Sequence, residues 1–329
     1  MTAMKTGSIL LVAVGGIGFR HFQALLNCQS NFELYVVDTS IDAVNRARTY
    51  AEEQQSRKQI HYYHAVSELE PAMHFQIAII ATSSLVRRAV FEELITRCKV
   101  QTVIFEKVLF PELKDYKEVG ELLQKNSISA YVNCARRVQG IYQELCKETR
   151  HSKWLHAQIV GADWGMACNT IHLVDLFAYL SSATAEHITC SGVLLENQIY
   201  DSKRKGYIEF YGKLIGKIGE KTTYRIECSH GKAAPTIELF TEKAYYCINE
   251  TDGCITKQAL DSGEFEEKHF QLAYVSQTTT QVVEMLLRKQ SVELTSYEES
   301  ANLHIPVFRE FLKRRNKILG REEEICPIT

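Results

Sequence analysis

From Ser8 to Asn133 the chain alternates two kinds of apolar pattern. Short continuous runs rich in β-branched and aromatic residues read as strands: "SILLVAV" from Ser8, "ELYVVD" from Glu33, "IHYYHA" from Ile60, "FQIAIIA" from Phe75, "QTVIFEK" from Gln101 and "ISAYVN" from Ile128. Their lack of polar alternation predicts cover on both faces, as in a parallel sheet. Between them lie segments such as "SLVRRAVFEELITRC" and "PELKDYKEVGELLQKN", whose apolar residues recur at three and four. These read as helices, the second with Pro111 in its first turn. Strand and helix in alternation predict an α/β domain with a doubly wound parallel sheet, whose ligands bind beyond the carboxyl ends of the strands.

Beyond Arg150 the texture changes. One helix, "NTIHLVDLFAYLSS", precedes the strand-like stretches "HITCSGVLLE", "GYIEFYGKLIGKIG", "KTTYRIECS", "PTIELFT" and "AYYCINE". Strands in succession predict a large, mostly antiparallel open sheet in a C-terminal α+β domain. Helical patterns return in "VSQTTTQVVEMLLRK" and "SYEESANLHIPVFREFLKRRN". No repeat or low-complexity linker intervenes, so the expected domains are 1–130 and 131–329, joined closely, with a C-terminal helix able to pack back on the first. Polar residues alternate with aromatic and aliphatic ones in "GYIEFYGKLIGKIG". A sheet covered by one layer then has a second face to bury, which predicts a homodimer or homotetramer.

Composition narrows the partners. At 329 residues and 45% hydrophobic content the chain can bury two cores. A formal net charge of -2 gives no basic field for nucleic acid or a membrane surface. No apolar stretch reaches the length of a membrane span. The ten cysteines include no C-x-x-C pair, which predicts reduced thiols, a cytoplasmic address and no metal site. Lys5 before an apolar run superficially resembles an export signal, but the run is short and passes into Gly15, Gly16 and Gly18. Small molecules and copies of the chain itself are the expected partners.

Those glycines sit where a buried strand turns into a helix, in "LLVAVGGIGFRHFQALL". Glycine there lets backbone approach a pyrophosphate, and the helix N-terminus offers N–H groups and a positive dipole end. Against the usual G-x-G-x-x-G the chain reads A-x-G-x-x-G, with Ala13 first. Asp38 ends the second strand about 20 residues on, where a carboxylate accepts from the ribose hydroxyls. The alternative for Asp38 is a helix cap before "TSIDAVNRA". Gly15, Gly16, Ile17, Gly18 and Asp38 together point to a dinucleotide. Because Asp38 repels a 2'-phosphate and no arginine follows it directly, NAD is expected in preference to NADP.

With the turn placed, "GGIGFRHFQAL" resembles the opening of the glucose-fructose oxidoreductase, inositol dehydrogenase and MocA family (Gfo/Idh/MocA), where a glycine turn runs into an R-H pair. "ATSSLVRRAVFEELI" resembles that family's T-P-x-x-x-H stretch and "VIFEKVLF" its E-K-P motif. "VNCARRVQGIYQEL" is similar to its arginine-bearing junction, and "NTIHLVDLFAYL" to its H-x-x-D helix. The resemblance implies a Rossmann domain followed by a substrate and oligomerisation domain. It makes Lys107 the catalytic lysine and His172 the active-site histidine, with Asp175 beyond it, and puts Thr82 and Glu106 at the cofactor. Arg137 falls at the family's arginine and Tyr142 at a tyrosine that follows. Three departures stand out: Val108 replaces the proline, often cis-bonded, after the lysine; Cys168, beside Asn169, replaces an aspartate; and Arg87 or Arg88 replaces the later histidine of the T-P stretch.

Hydride transfer between an alcohol carbon and nicotinamide needs a group to take or give the hydroxyl proton. Lys107, at the end of a buried strand, fits that role; its alternative is a lysine simply paired with Glu106. His172 reads as a substrate contact or proton relay, or else as a packing residue of an apolar helix. The pairs Arg87–Arg88 and Arg136–Arg137 follow predicted strands, and one of each is expected to bind an anionic group. Cys168, Asn169 and Asp175 complete the expected substrate contacts. The sequence therefore predicts an NAD-dependent oxidoreductase interconverting a hydroxyl and a ketone on a sugar or sugar derivative, acidic or nucleotide-linked, with a role in surface-polysaccharide sugar synthesis. The alternative is a non-catalytic NAD-binding regulator or scaffold of the same fold, for which Cys168 speaks.

Overall fold

The computed structural model describes residues 7–329; Lys5, and with it the leader-like start, lies outside the described residues. In chain order the first elements are β1 (Gly7–Val12), α1 (Gly16–Asn27), β2 (Phe32–Val37), α2 (Ile41–Glu53), β3 (Ile60–Tyr63), β4 (His74–Ile80), α3 (Ser84–Arg97), β5 (Lys99–Phe105), α4 (Leu113–Lys125) and β6 (Ser129–Val132). There follow α5 (Gly140–Thr149), β7 (Leu155–Ala162), α6 (Met166–Ser181), β8 (Ile188–Leu195), β9 (Tyr200–Asp201), β10 (Ile208–Glu209), β11 (Gly212–Ile218), β12 (Thr222–Ser229), β13 (Thr236–Thr241), β14 (Ala244–Asn249), β15 (Cys254–Ala259) and β16 (Phe265–His269). The chain closes with α7 (Val275–Leu287), β17 (Thr295–Ser296) and α8 (Tyr297–Leu319). Among the described residues no helix is long and apolar enough to cross a membrane.

Two compact units result. The first comprises the chain up to Phe110 with 117–135 and 273–297. Its sheet runs β17-β6-β5-β4-β1-β2-β3, all parallel except β17, which pairs antiparallel with β6. The central strands are buried over most of their length, Ile9 to Val12 and Ile77 to Ile80 being the innermost, while the edge strand β3 is half-buried throughout. This is the doubly wound α/β sheet expected from the continuous apolar runs. Residues 273–297, which chain order places with the second domain, belong to this unit: α7 packs along α1. Pro111 precedes α4 instead of occupying its first turn. At α2 it is Ser40 that caps, its hydroxyl accepting from the amide of Ala43 at 3.2 Å.

The second unit comprises 111–116, 136–272 and 298–329. Its sheet has the order β16-β15-β14-β13-β7-β12-β11-β8 and is antiparallel apart from the β7–β12 pair. Alternating positions such as Leu214, Ile226, Ile237, Leu239 and Ile248 are buried, and α6 packs against β12 and α5. The intervening positions face outward and stay open. One row of the register, Thr223–His156–Phe240–Tyr245–Gln258–Phe265, carries aromatic rings on four of its six strands. Val160 on β7 and Ile215 on β11 are exposed as well. The stretch "GYIEFYGKLIGKIG" is two strands, not one. The break falls at Gly212, whose φ of +110° is a backbone only glycine tolerates, and where a Cβ would lie 2.4 Å from the carbonyl oxygen of Leu194.

The β1–α1 turn is the tightest close approach in the first unit. A Cβ on Gly18 would lie 1.9 Å from the carbonyl oxygen of Ala13, a backbone atom that cannot swing away. Ala13 itself holds φ +72°, the left-handed region that explains why glycine is usual there. At Gly16, two residues earlier, a Cβ would meet nothing within 4 Å. Gly18→Ala should therefore cost about 1–3 kcal/mol and lower the thermal midpoint, whereas Gly16→Ala should leave it unchanged; paired thermal melts read the difference.

Candidate functional site

Parallel pairing sets five strand ends level. Val37, Val12, Ile80, Phe105 and Val132 stand opposite one another across β2, β1, β4, β5 and β6. The next residues, Asp38, Ala13, Ala81, Glu106 and Asn133, therefore emerge side by side at the carboxyl edge. Their amides continue the ladder: Ala13 donates to Val37, Ala81 to Val12, Glu106 to Ile80 and Asn133 to Phe105, at 2.7–3.2 Å. The order of connection reverses at β1, which lies between β2 and β4, and such a switch point is where doubly wound sheets bind ligands.

At that point Gly15 and Gly16 are exposed, Ile17 is half-buried, and α1 begins with no side-chain cap on its first amides. Asp38 closes the turn. Its Oδ2 accepts from the amide of Val14 at 2.7 Å and its Oδ1 from the amide of Ser40 at 2.8 Å, which leaves each oxygen a further lone-pair direction. Beside them Thr82, after β4, has a buried hydroxyl with no hydrogen-bond partner. Uncapped amides, a carboxylate with acceptor capacity and an orphaned hydroxyl are the donor set a dinucleotide uses, and the open space at Gly16 admits its diphosphate. The residues fit NAD. One contributor escaped the sequence reading: Arg46 of α2 donates to the carbonyls of Val14 at 2.7 Å and Gly15 at 3.2 Å, with its guanidinium over the Phe19 ring. It fixes the turn from behind. The signal was invisible because Arg46 is far along the chain from the glycines it holds.

After β5, Lys107 is the half-buried residue of a segment, 103–110, that is otherwise buried. Glu106 points inward. Its Oε1 accepts from Nε2 of His21 at 2.9 Å and from Nδ2 of Asn133 at 2.5 Å, and the Nδ1 of His21 lies 2.9 Å from the Thr279 hydroxyl. Burial works against its charge, but His21, Asn133 and the nearby charge of Lys107 together hold the carboxyl below its ordinary range. Glu106 is thus a buried ionised group bound within the protein, and not a side chain displayed to a cofactor. The Lys107–Val108 peptide bond is cis, although the residue is valine.

Arg87 corrects the expectation of an anion ligand. It is 1% exposed, and its guanidinium donates to the carbonyls of Thr82, Val108 and Leu109. An arginine engaged in this way clamps the loop after β5 to the loop after β4 and has no fork to offer a substrate. Arg88 pairs with Glu92 and Glu118 at 2.8 and 2.5 Å.

In the second unit the same holds for the other pair. Arg137, 6% exposed, donates through Nε to Asp175 at 2.7 Å and through Nη2 to Glu299 at 2.8 Å; Asp175 is fully buried. Both leave the set of expected substrate contacts, because a buried ion pair already satisfies them. Arg136 is bidentate to Glu250, which also accepts from the hydroxyl of Tyr142 at 2.6 Å. Along α6 the residues Cys168, Asn169 and His172 are half-buried while Thr170, Ile171 and 173–178 are buried. Spaced at i, i+1 and i+4, they share one stripe of the helix, so the three expected there do come together. Asn169 donates to the carbonyl of Trp164 at 2.7 Å and so also fixes the turn that opens the helix, where Gly165 has φ +75°.

No protein-family model and no curated sequence matches the chain. Its architecture does recur. The UDP-N-acetylglucosamine 3-dehydrogenase GnnA from Acidithiobacillus ferrooxidans aligns with a TM-score of 0.66 at 14% identity, over 93% of this chain and 97% of that one. An oxidoreductase from Agrobacterium radiobacter, in complex with NAD+, L-tartaric acid and magnesium, aligns at 0.71 and 12% identity over 95% and 97%. A super-repressor mutant of Gal80p from Saccharomyces cerevisiae aligns at 0.70 and 11% over 96% of each. The chain has the fold of the glucose-fructose oxidoreductase, inositol dehydrogenase and MocA proteins, as its motifs implied.

Glu250 gives the second unit an acid dependence. Burial opposes its charge, yet Arg136 and Tyr142 hold it below its ordinary value of 4.5. A depressed carboxyl contributes fully above that ordinary value and loses its contribution as the pH falls through the lowered one. Glu250→Gln should cost about 2 kcal/mol at pH 7 and flatten the acid limb of the stability curve; urea melts at a series of pH values report both.

Proposed function

We propose that the chain is an NAD-dependent oxidoreductase interconverting a hydroxyl and a ketone on a sugar or sugar derivative. The observation that carries the reading is the level row of strand ends, which brings Lys107 to the same sheet edge as the glycine turn and Asp38. NAD, when bound, supplies the hydride acceptor or donor. Gly15, Gly16 and Gly18 let backbone amides reach its diphosphate, Asp38 accepts from the ribose hydroxyls, and the Thr82 hydroxyl gains the partner it lacks. Lys107 Nζ takes the hydroxyl proton in oxidation and returns it in reduction. Cys168, Asn169 and His172 form the substrate-facing stripe of α6. The preference for NAD over NADP follows from the negative charge of Asp38.

The acidic substrate expected from the arginines has lost its support, since Arg87, Arg88, Arg136 and Arg137 are engaged within the protein. A sugar with a neutral reacting ring fits the remaining residues; the GnnA likeness supports a nucleotide-linked form, whose diphosphate then needs cations other than these four arginines. The regulator reading keeps one observation, Cys168 in place of an aspartate, alongside the likeness to a repressor.

Fluorescence titration should show NADH binding at least tenfold tighter than NADPH; Gly16→Ala should weaken NADH without loss of stability, and Asp38→Ala should weaken it with some loss, since Asp38 also accepts from the amides of Val14 and Ser40. Lys107→Met should bind NADH as the wild type does and turn over at least a hundredfold more slowly on any sugar the wild type oxidises. Wild-type protein that binds NADH and reduces or oxidises no sugar across a broad panel would favour the regulator.

The outward face of the second sheet supports self-association, because Val160, Ile215, Phe240 and Phe265 lie exposed on it. Sedimentation at micromolar concentration should give a dimer or tetramer, and Phe240→Lys should shift it toward monomer.

A further inference from the structure

Val14 is gripped at both of its polar backbone atoms. Its amide donates to Oδ2 of Asp38 at 2.7 Å, and its carbonyl accepts from Nη2 of Arg46 at 2.7 Å; the same nitrogen reaches the carbonyl of Gly15 at 3.2 Å. Both peptides that follow, 14–15 and 15–16, are trans. In a trans peptide the carbonyl and the next N–H point to opposite sides of one plane. Holding the carbonyls of Val14 and Gly15 against Arg46 therefore turns the N–H groups of Gly15 and Gly16 away from the guanidinium. Neither N–H has an acceptor among the described residues, and a Cβ on either glycine would meet nothing within 4 Å. Arg46 is exposed, yet it is not loose. Its guanidinium lies 4.6 Å from the centroid of the Phe19 ring, and Phe19 packs edge-on against Tyr50, one turn beyond Arg46 on α2.

We infer that Arg46 is a positioning residue for the cofactor diphosphate: it aims the amides of Gly15 and Gly16 and offsets the negative charge that Asp38 brings to the same turn. The inference rests on the proposed binding of NAD here. A diphosphate adds further negative charge beside Asp38, and the end of α1 meets it with partial charges only. Arg46 supplies a whole positive charge. Its bonds to the two carbonyls are charge-assisted, so they polarise the peptides and make the N–H groups on the far side better donors. The division of labour follows from the contacts. Asp38 serves the ribose, whereas Arg46 acts through the Gly15 and Gly16 amides on the phosphates alone, and a ligand that stops at the ribose does not sense it.

The test compares ligands with and without the diphosphate on the full chain, with no turnover involved. ADP-ribose and NADH carry it, and adenosine does not; calorimetry reads the first two, and saturation-transfer NMR reads adenosine. Arg46→Met, whose stem still lies over Phe19, should weaken ADP-ribose and NADH about fivefold and leave adenosine within about twofold of wild type. Arg46→Lys, which keeps a cationic donor, should recover most of that loss. Unchanged ADP-ribose affinity in Arg46→Met overturns the inference. So does an adenosine affinity that falls as far as that of ADP-ribose, which would mean that the turn has merely collapsed, or an Arg46→Lys that binds no better than Arg46→Met. Should Arg46→Met not fold, Arg46→Gln, which keeps a donor without the charge, replaces it against Arg46→Lys under the same criteria. The two readings fail differently: wild type that binds neither NADH nor ADP-ribose sinks the cofactor site and Arg46 with it, whereas wild-type binding that survives Arg46→Met intact sinks the role of Arg46 and leaves the cofactor site standing.

Discussion

Parallel register is the constraint on which the first unit depends. Because β1, β2, β4, β5 and β6 end level, the residues that follow them meet at one edge regardless of their separation along the chain. Asp38, the glycine turn, Thr82, Lys107 and Asn133 need no motif in common to become neighbours. The register needs rigid loops to be of use, and the chain supplies them with buried guanidinium and imidazole groups. Arg87 ties the loops after β4 and β5 together; Arg46 ties down the turn after β1; His21 anchors the end of β5 from α1.

Much of this was legible in the sequence because the information was local. Continuous apolar runs marked all six parallel strands, and the spacing from the glycines to Asp38 marked the turn. The misses share a cause. Whether Arg87 reaches out to a ligand or in to three carbonyls depends on where residues 82, 108 and 109 go, and the sequence shows the guanidinium without its acceptors. Arg137 with Asp175 is the same case across 38 positions. His21 lay in the R-H pair that marked the family, yet its acceptor is 85 residues away. Strand β7, the centre of the second sheet, did alternate, "LHAQIVGA", but it stands alone between two helices, where no neighbouring strand prompts a search for it.

The paired arginines also reshape the chemistry. Cationic groups held in the protein by carboxylates or carbonyls stiffen a site without charging it, so the substrate surface proposed for α6 is left to a thiol, an amide and an imidazole. Such a set hydrogen-bonds to hydroxyl and acetamido groups more readily than it neutralises a carboxylate. Under the proposed function Cys168 is a smaller, less polar neighbour for a substrate than an aspartate would be.

The bond between His21 and Thr279 spans 258 positions, and α7 lies along α1 within the first unit. A ribosome therefore delivers the first unit in two instalments. After the first 135 residues emerge, the sheet has its parallel strands, but α1 lacks the helix that covers it, and β6 lacks its antiparallel neighbour β17. The usual order, in which an N-terminal domain folds while the rest is still being made, does not complete here. The flank of α1 that α7 covers waits until residues 136–272 of the second unit have been synthesised.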